Sequence, residues 1–325
     1  MNKKTFAFLI TIFLIIGFNS HSWSWGFWAH KRINHQAVFS LPQSMLPFYK
    51  NHIDYITKHA TDPDIRRYKN PDEAPRHFIN PERFNIPIDS ISEHWQDAVD
   101  LFSEDSLKEY GIVPWYINEM TYRLTEAFKA KDVDKILKLS ADIGHYIADA
   151  HVPLHCTSNY NGQQTNQEGI HAFWESRIPE LFGDNYDFFV GRAIYIKNPL
   201  KTAWKIVKES YYAKDSVLTF EKRLSDSYPS DKKFSIETRN KKIVKVYSIE
   251  YSKAYSEMLG GMIERRMQSA ILMVSSYWFT AWVNAGQPDL SIIENKEPSI
   301  ELINQLKQEE LDSKSGKAPN KGHVD

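Results

Sequence analysis

The sequence predicts an all-α fold, a single multi-helix domain with a small hairpin excursion and a mobile C-terminal tail. Three observations predict it. Apolar residues recur with helical period over most of the chain after residue 25. One short segment alternates instead, and the stretch after residue 287 is rich in Lys, Glu and Ser. A chain of 325 residues is also long enough to bury a sizeable core.

The longest helical patterns cover residues 114–129, 133–150 and 255–283. In the first of them, one side carries Ile117, Met120, Leu124 and Phe128. The last ends before an Asn-Ala-Gly sequence that is typical of a helix C-terminus. Shorter helices are predicted near residues 29–39, 45–59, 90–103, 168–180 and 198–224.

The N-terminal segment 1–24 has the pattern of a signal peptide. Lys3 and Lys4 precede an apolar stretch over residues 5–18, which is too short for a comfortable membrane span. Ser22 and Ser24 offer small residues at the positions that a signal peptidase requires. We therefore expect cleavage after Ser24, a mature chain beginning at Trp25, and a secreted or periplasmic protein. An uncleaved N-terminal anchor is the alternative.

The mature chain is divided into two parts. Residues 25–290 are predicted to form one domain, within which residues 234–247 alternate around a polar turn and suggest a hairpin. Residues 291–325 are predicted to form a polar, disordered tail with at most one short helix. No later segment is long and apolar enough to span a bilayer stably.

Composition excludes several classes of protein. The formal net charge is −1, so no basic footprint indicates tight binding of duplex nucleic acid. The single cysteine, Cys156, excludes an intrachain disulfide framework and a cysteine-rich zinc site. Nothing in the sequence indicates an obligate protein partner.

One short segment concentrates potential zinc ligands. His145 and Asp149 are four residues apart, so they share one face of a predicted helix, and His171 and Glu175 repeat this spacing on the next one. His155 follows a proline that should end the first helix. Zinc binds imidazole nitrogen and carboxylate oxygen readily, and catalytic sites keep one position open for water. A chance placement on exposed helix faces is the alternative interpretation, and the pattern is not that of a di-iron centre.

Beyond these residues, the chain resembles the superfamily of trinuclear-zinc phosphodiesterases, which joins zinc-dependent phospholipase C to the single-strand-specific zinc nucleases. The resemblance depends on five motifs: Trp25-Gly26-x3-His30, Ala60-x-Asp62, His77-Phe78, His145-x3-Asp149-x5-His155 and His171-x3-Glu175. It implies the all-α fold of that superfamily to about residue 290.

The resemblance also implies three Zn²⁺ ions per chain. One ion would be held by Asp62, His77, His145 and Asp149. A second would be held by His155, His171 and Glu175. The third would be held by His30 and by the free amine of Trp25, with Asp149 as a bridge. The implied reaction is hydrolysis of a phosphodiester by zinc-activated water, with Asp62 also orienting that water or accepting its proton.

The substrate is left open between two classes. Glu175 and the short interval from His155 to His171 resemble phospholipase C, which favours a phospholipid headgroup. The N-terminal motif resembles the nucleases, and Phe78 would then stack on a base of single-stranded DNA or RNA. A third possibility is a non-catalytic zinc-binding protein that keeps the ligands without turnover.

Overall fold

The computed structural model describes residues 26–67, 69–239 and 242–314. Over these residues every regular element is a helix apart from the two strands of one hairpin, which confirms the predicted fold class. No helix of the described part is both long and apolar enough to cross a membrane. The predicted signal peptide and Trp25 lie outside the described residues.

The α-helices follow one another along the chain and are joined by loops and short 3₁₀ turns. They are α1 (Phe27–Val38), α2 (Leu46–Asn51), α3 (Ile53–Lys58), α4 (Asp62–Arg66), α5 (Trp95–Phe102), α6 (Glu104–Tyr110), α7 (Val113–Ala130), α8 (Val133–Ala150), α9 (Ile170–Ala172), α10 (Ile178–Phe182), α11 (Pro199–Ser227), α12 (Ile249–Met258), α13 (Met262–Asn284) and α14 (Ile300–Lys314).

Helix α8 lies at the centre of the molecule. It packs against α7, α13 and α1, and its side chains are buried along almost its whole length. The side chain of Asp132 caps its first turn by accepting a hydrogen bond from the backbone N–H of Lys135. At its other end Pro153, which has no N–H to donate, opens a 3₁₀ turn. Polar side chains on α8 are therefore carried into the core.

The approach of α1 to α8 is unusually close. A Cβ atom on Gly144 would lie 2.1 Å from the Oδ1 atom of Asn34, so glycine is required at this crossing. The Asn34 amide donates to the carbonyl of Ala141 at 3.1 Å and ties the two helices together. This contact fixes α1 beside the polar face of α8.

The predicted helix over residues 255–283 is interrupted in the structure. Helix α12 ends at Met258 and α13 begins at Met262. Gly260 and Gly261 both adopt positive φ angles, +56° and +77°, which end one helix and start the next. The apolar period continues through this break, so it could not reveal the interruption.

The predicted hairpin is present. Strand β1 (Phe234–Arg239) pairs antiparallel with β2 (Lys242–Tyr247), and the register places Phe234 opposite Tyr247. The ring of Tyr247 stacks on Phe173 with 3.8 Å between centroids. This contact ties the hairpin to the turn that follows α9.

The predicted tail contains one helix within the described residues, α14, and this helix is docked on the domain. Helix α14 packs against α4, and it buries Leu302 and Leu306, which are four residues apart. Its acidic side chains face basic ones, with Asp312 paired to Lys69. Two leucines and a few ion pairs are enough to dock a helix whose composition is otherwise polar. Residues 315–325 lie outside the described part.

Candidate metal centre

Helix α8 contributes the centre of a buried polar cluster. His145 and Asp149 lie one turn apart on the same face, and both are fully buried. The Nδ1 atom of His145 donates to the carbonyl of Ala60 at 2.9 Å, which leaves its Nε2 atom directed toward Asp149, 3.2 Å from Oδ2. The sequence spacing therefore produces the predicted geometry on this helix.

His155 is oriented by an exchange of hydrogen bonds between two loops. Its Nδ1 atom donates to the carbonyl of His77 at 2.8 Å, and its own carbonyl accepts from the N–H of Ile79 at 3.0 Å. The Nε2 atom is then directed toward Glu175, 3.4 Å from Oε2. The 3₁₀ turn Pro153–Cys156 thus returns the chain to the face of α8.

Glu175 and His171 come from a helical segment with a local π turn, Phe173–Arg177. The Nε2 atom of His171 lies 3.2 Å from Oε2 of Glu175. A π turn adds a residue to the helical turn, and such turns are frequent at functional sites. With His155, these two side chains form a compact buried group whose candidate ligand atoms lie within 4.8 Å of one another.

His77 and His30 approach Asp149 from two further elements. The Nδ1 atom of His77, in the loop after the 3₁₀ turn Ala74–Arg76, lies 2.9 Å from Oδ2 of Asp149. The Nε2 atom of His30, on α1, lies 3.4 Å from Oδ1, and its ring stacks on His145. Asp149 therefore presents one oxygen to each side of the cluster, as a bridging ligand would.

The aspartate of α4 that joins the cluster is Asp64. Its Oδ1 atom lies 3.6 Å from Nε2 of His145 and 3.7 Å from Nδ1 of His77. The predicted ligand, Asp62, lies outside this group and instead binds His59 Nδ1 at 2.7 Å. Residues two apart on a helix point in different directions, so only one of the two can face α8. In the structure Asp64, and not Asp62, occupies the position expected of the aspartate ligand.

Two of the buried carboxylates accept no hydrogen bond within the described part of the chain, although imidazoles lie near both and Arg67 lies 3.9 Å from Oδ1 of Asp64. Neither oxygen of Asp64 or Glu175 accepts a hydrogen bond from any residue in the described ranges. Buried carboxylates are costly unless they are paired or coordinate a metal. Imidazole nitrogens and carboxylate oxygens are also the donors that zinc prefers. The side chains that the structure brings together therefore fit divalent cations.

The electrostatics of the cluster agree with this. Burial opposes ionisation of Asp149, but the neighbouring His145 and His155 hold its pKa well below the usual range. Burial likewise opposes protonation of His145, yet the carboxylates of Asp149 and Asp64 raise its pKa well above the usual range. The carboxylates thus stabilise positive charge at the centre, and a bound metal ion would supply that charge while the histidines that hold it stay neutral.

A buried glutamate absent from the predicted site, Glu73, supports His77 from behind. Its Oε1 atom lies 3.7 Å from Nε2 of His77, the nitrogen that faces away from Asp149, and accepts a hydrogen bond from the Tyr146 hydroxyl. Arg76 donates to Oε2 at 2.8 Å, and Arg66 lies 3.5 Å away. The spacing Glu73-x3-His77 can be seen in the sequence. The supporting role of Glu73 could not be inferred from it, because that role also depends on contacts with Arg66 and Tyr146.

Three other residues, Phe78, His151 and Cys156, lie outside the cluster. Phe78 is only 2% exposed, which leaves no ring face for a substrate base, so its predicted stacking role is corrected to a core role. His151 hydrogen bonds to the carbonyl of Ile147 and to Ser269, as a structural residue at the helix end should. Burial raises the pKa of the Cys156 thiol to about 12, so it is not a thiolate at neutral pH.

The beginning of the described chain lies beside the centre. The N–H of Gly26 donates to Oγ of Ser176 at 3.0 Å, and Ser176 is the neighbour of Glu175. Gly26 immediately follows Trp25, the residue expected to start the mature chain. The sequence motif Trp25-Gly26-x3-His30 is thereby connected to the cluster at both Gly26 and His30.

Comparison with known proteins agrees with this geometry. No curated protein sequence matched the chain closely enough to count as a relative. A family model described as zinc dependent phospholipase C matches residues 29–233, which is most of the chain and includes every described residue of the cluster. The chain therefore belongs to the zinc-dependent phospholipase C family and is a hydrolase of phosphodiester bonds.

Proposed function

We propose that this protein is an exported zinc-dependent phosphodiesterase that acts on phospholipids, with three zinc ions per mature chain. One observation carries the proposal. Five histidines and three carboxylates from distant parts of the chain converge in a buried cluster around Asp149, in which Asp64 and Glu175 accept no hydrogen bond from the described residues. The family match supports zinc as the metal of this cluster and phosphodiester hydrolysis as its reaction.

Each proposed metal would have its own group of side chains. The first would bind Asp64, His77, His145 and Asp149, and the second would bind His155, His171 and Glu175. The third would bind His30, Asp149 and the amine of Trp25 once the signal peptide has been removed. The contact between Gly26 and Ser176 supports this last assignment, because Gly26 follows Trp25 in the sequence and Ser176 follows Glu175.

Bound zinc would act as a Lewis acid on the phosphodiester and would lower the pKa of water toward 7. The protein's own residues do the remaining work. Asp149 directs one carboxylate oxygen toward each of two groups of ligands and so fixes the position of one group relative to the other. Asp64 takes over the role expected of Asp62, because its carboxylate lies in the cluster and can accept a proton from the attacking water.

Three observations favour a phospholipid headgroup over a nucleic acid. The matched family is that of phospholipase C. The buried position of Phe78 removes the one aromatic residue that had been expected to stack on a base. The net charge of −1 likewise gives no general attraction for a polyanionic strand.

Parallel assays of the zinc-loaded mature protein test the proposal. We expect cleavage of phosphatidylcholine and of bis-p-nitrophenyl phosphate, with no cleavage of single-stranded DNA or RNA. The variant His171→Ala should abolish both reactions, whereas His94→Ala, which changes a highly exposed histidine, should retain them. Preferential cleavage of single-stranded nucleic acid would assign the other substrate class. Bound zinc without any turnover would indicate a non-catalytic protein.

N-terminal sequencing of the exported protein tests the processing step. The expected first residue is Trp25. Any other start would remove the proposed amine ligand and with it the third metal.

A further inference from the structure

The hairpin carries an exposed apolar surface with a lysine in it. Ile236 lies opposite Lys245, and Thr238 lies opposite Ile243, so these four residues share one side of the two-stranded sheet. We call this surface the hairpin face. Ile236 is 69% exposed and Ile243 is 78% exposed. Isoleucine is among the residues most often buried, so two on one small face indicate a surface that meets a partner.

The same segment is the basic part of an otherwise acidic chain. Residues 230–247 contain six basic and two acidic residues, which gives a net charge of +4. Since the whole chain has a net charge of −1, the remainder carries −5. Within the segment Lys233 pairs with Glu221 and Arg239 with Glu180, while Lys245 is exposed beside the ring of Phe234. The charge of the segment complements an anionic surface.

Side-chain contacts attach the hairpin to the segment that carries Glu175. Arg177 donates to the carbonyl of Tyr247 at 3.1 Å and to Glu237 at 3.1 Å. Phe173 stacks on Tyr247, and both Phe173 and Arg177 lie two residues from the metal-binding candidate Glu175. A partner bound to the hairpin face would therefore be held next to the cluster. The match to the family model ends at residue 233, so the hairpin follows the matched segment rather than forming part of it.

We propose that the hairpin face docks the enzyme on an anionic phospholipid bilayer. Ile236 and Ile243 would enter the boundary between headgroups and acyl chains, and the lysines would meet the anionic headgroups. A single-stranded nucleic acid is the less suitable partner, because bases stack on aromatic rings and the exposed apolar residues of the hairpin face, Ile236 and Ile243, are aliphatic. The inference rests on the proposed function, since a lipid substrate is what makes a bilayer the relevant surface.

Vesicle co-sedimentation of the zinc-loaded mature chain tests this docking on ice. The probes are vesicles of phosphatidylcholine with phosphatidylserine and vesicles of phosphatidylcholine alone. We expect the double variant Ile236→Ser/Ile243→Ser to bind the anionic vesicles at least ~10-fold more weakly than the unmodified protein. Lys245→Gln should weaken binding about 5-fold, the effect of one charge at an anionic surface. The matched control is Ile292→Ser/Ile300→Ser, which changes two isoleucines elsewhere that are 65% and 71% exposed and should bind normally.

Hydrolysis of bis-p-nitrophenyl phosphate, measured on the same samples, separates this inference from the proposed function. The hairpin variants should keep full activity on this soluble diester, because none of the changed residues touches the cluster. Unchanged vesicle binding by the double variant, or no vesicle binding by an active unmodified protein, would overturn the docking role. The docking role would also be overturned if the double variant lost affinity for single-stranded DNA but kept its affinity for vesicles. Failure of the unmodified protein to hydrolyse any phosphodiester would instead overturn the proposed function.

Discussion

The two sides of the metal centre are built in different ways. The side formed by His155, His171 and Glu175 comes from one stretch of 21 residues, and local structure brings its members together. The side around Asp149 draws on α1, α4, α8 and the loop that carries His77, which are separated by up to 119 residues along the chain. The first side depends on turns and helical spacing, whereas the second depends on tertiary packing. Variants on the two sides should therefore differ in their effects on metal binding.

Loss of the bridging carboxylate should have the largest effect. Asp149→Asn removes one charged oxygen from each of two ligand groups, so we expect two of three zinc ions to be lost together and activity to fall by more than ~100-fold. Elemental analysis of the purified protein measures the zinc content. Glu175→Gln is the matched variant on the other side and should lose one ion only. Full zinc content in Asp149→Asn would show that this residue is not a bridge.

The choice between two neighbouring aspartates gives the next largest effect. Asp64→Asn should weaken the first metal by at least ~10-fold and reduce turnover, because Asp64 lies 3.6 Å from Nε2 of His145. Asp62→Asn should leave zinc binding within about twofold, since its carboxylate faces His59. Chelator competition measures both affinities. The reverse ranking would restore Asp62 as the ligand.

Removal of charge behind His77 should have a smaller but specific effect. Glu73→Gln keeps the size of the side chain but removes the carboxylate that faces Nε2 of His77, so we expect a ~10- to 100-fold loss of affinity for one zinc ion. The ion held by His155, His171 and Glu175 should be unaffected, as step-wise zinc titration would reveal. Asp142→Asn is the control, because it also removes a partner of Arg66 but does not touch His77. Equal effects from the two variants would show that Glu73 acts only as a partner of Arg66.

Weakening of the C-terminal helix should have the smallest effect on the site. Leu306→Ala removes a buried side chain from α14 and should lower the free energy of unfolding by about 2–3 kcal/mol. Leu311→Ala, on the same helix but exposed, should change it by less than ~0.5 kcal/mol. Urea denaturation gives both values. Because α14 packs on α4, any change in zinc affinity from Leu306→Ala should appear on the Asp149 side alone.

The sequence predictions were more accurate for features that depend on local structure than for features that depend on tertiary packing. The helical class, the hairpin and the spacing of His145 and Asp149 depend on local periodicity, and each is present in the structure. Whether Asp62 or Asp64 faces the cluster depends on the rotation of α4 relative to α8, which no local pattern contains. The support from Glu73 depends on Arg66 and Tyr146 meeting it across the fold. The docking of α14 depends on two leucines within a polar sequence, which is too weak a signal to distinguish a docked helix from a free one.

The requirement for glycine at position 144 has a consequence for sequence variation within the family. Asn34, whose Oδ1 atom would collide with a Cβ at this position, is one helical turn from His30 on α1. An added methyl group at position 144 would push α1 outward. It would thereby move the imidazole of His30, which stacks on His145, the residue that follows Gly144. We expect homologues that keep both histidines to keep glycine here, so that this position identifies intact centres in sequences whose loops and termini have diverged.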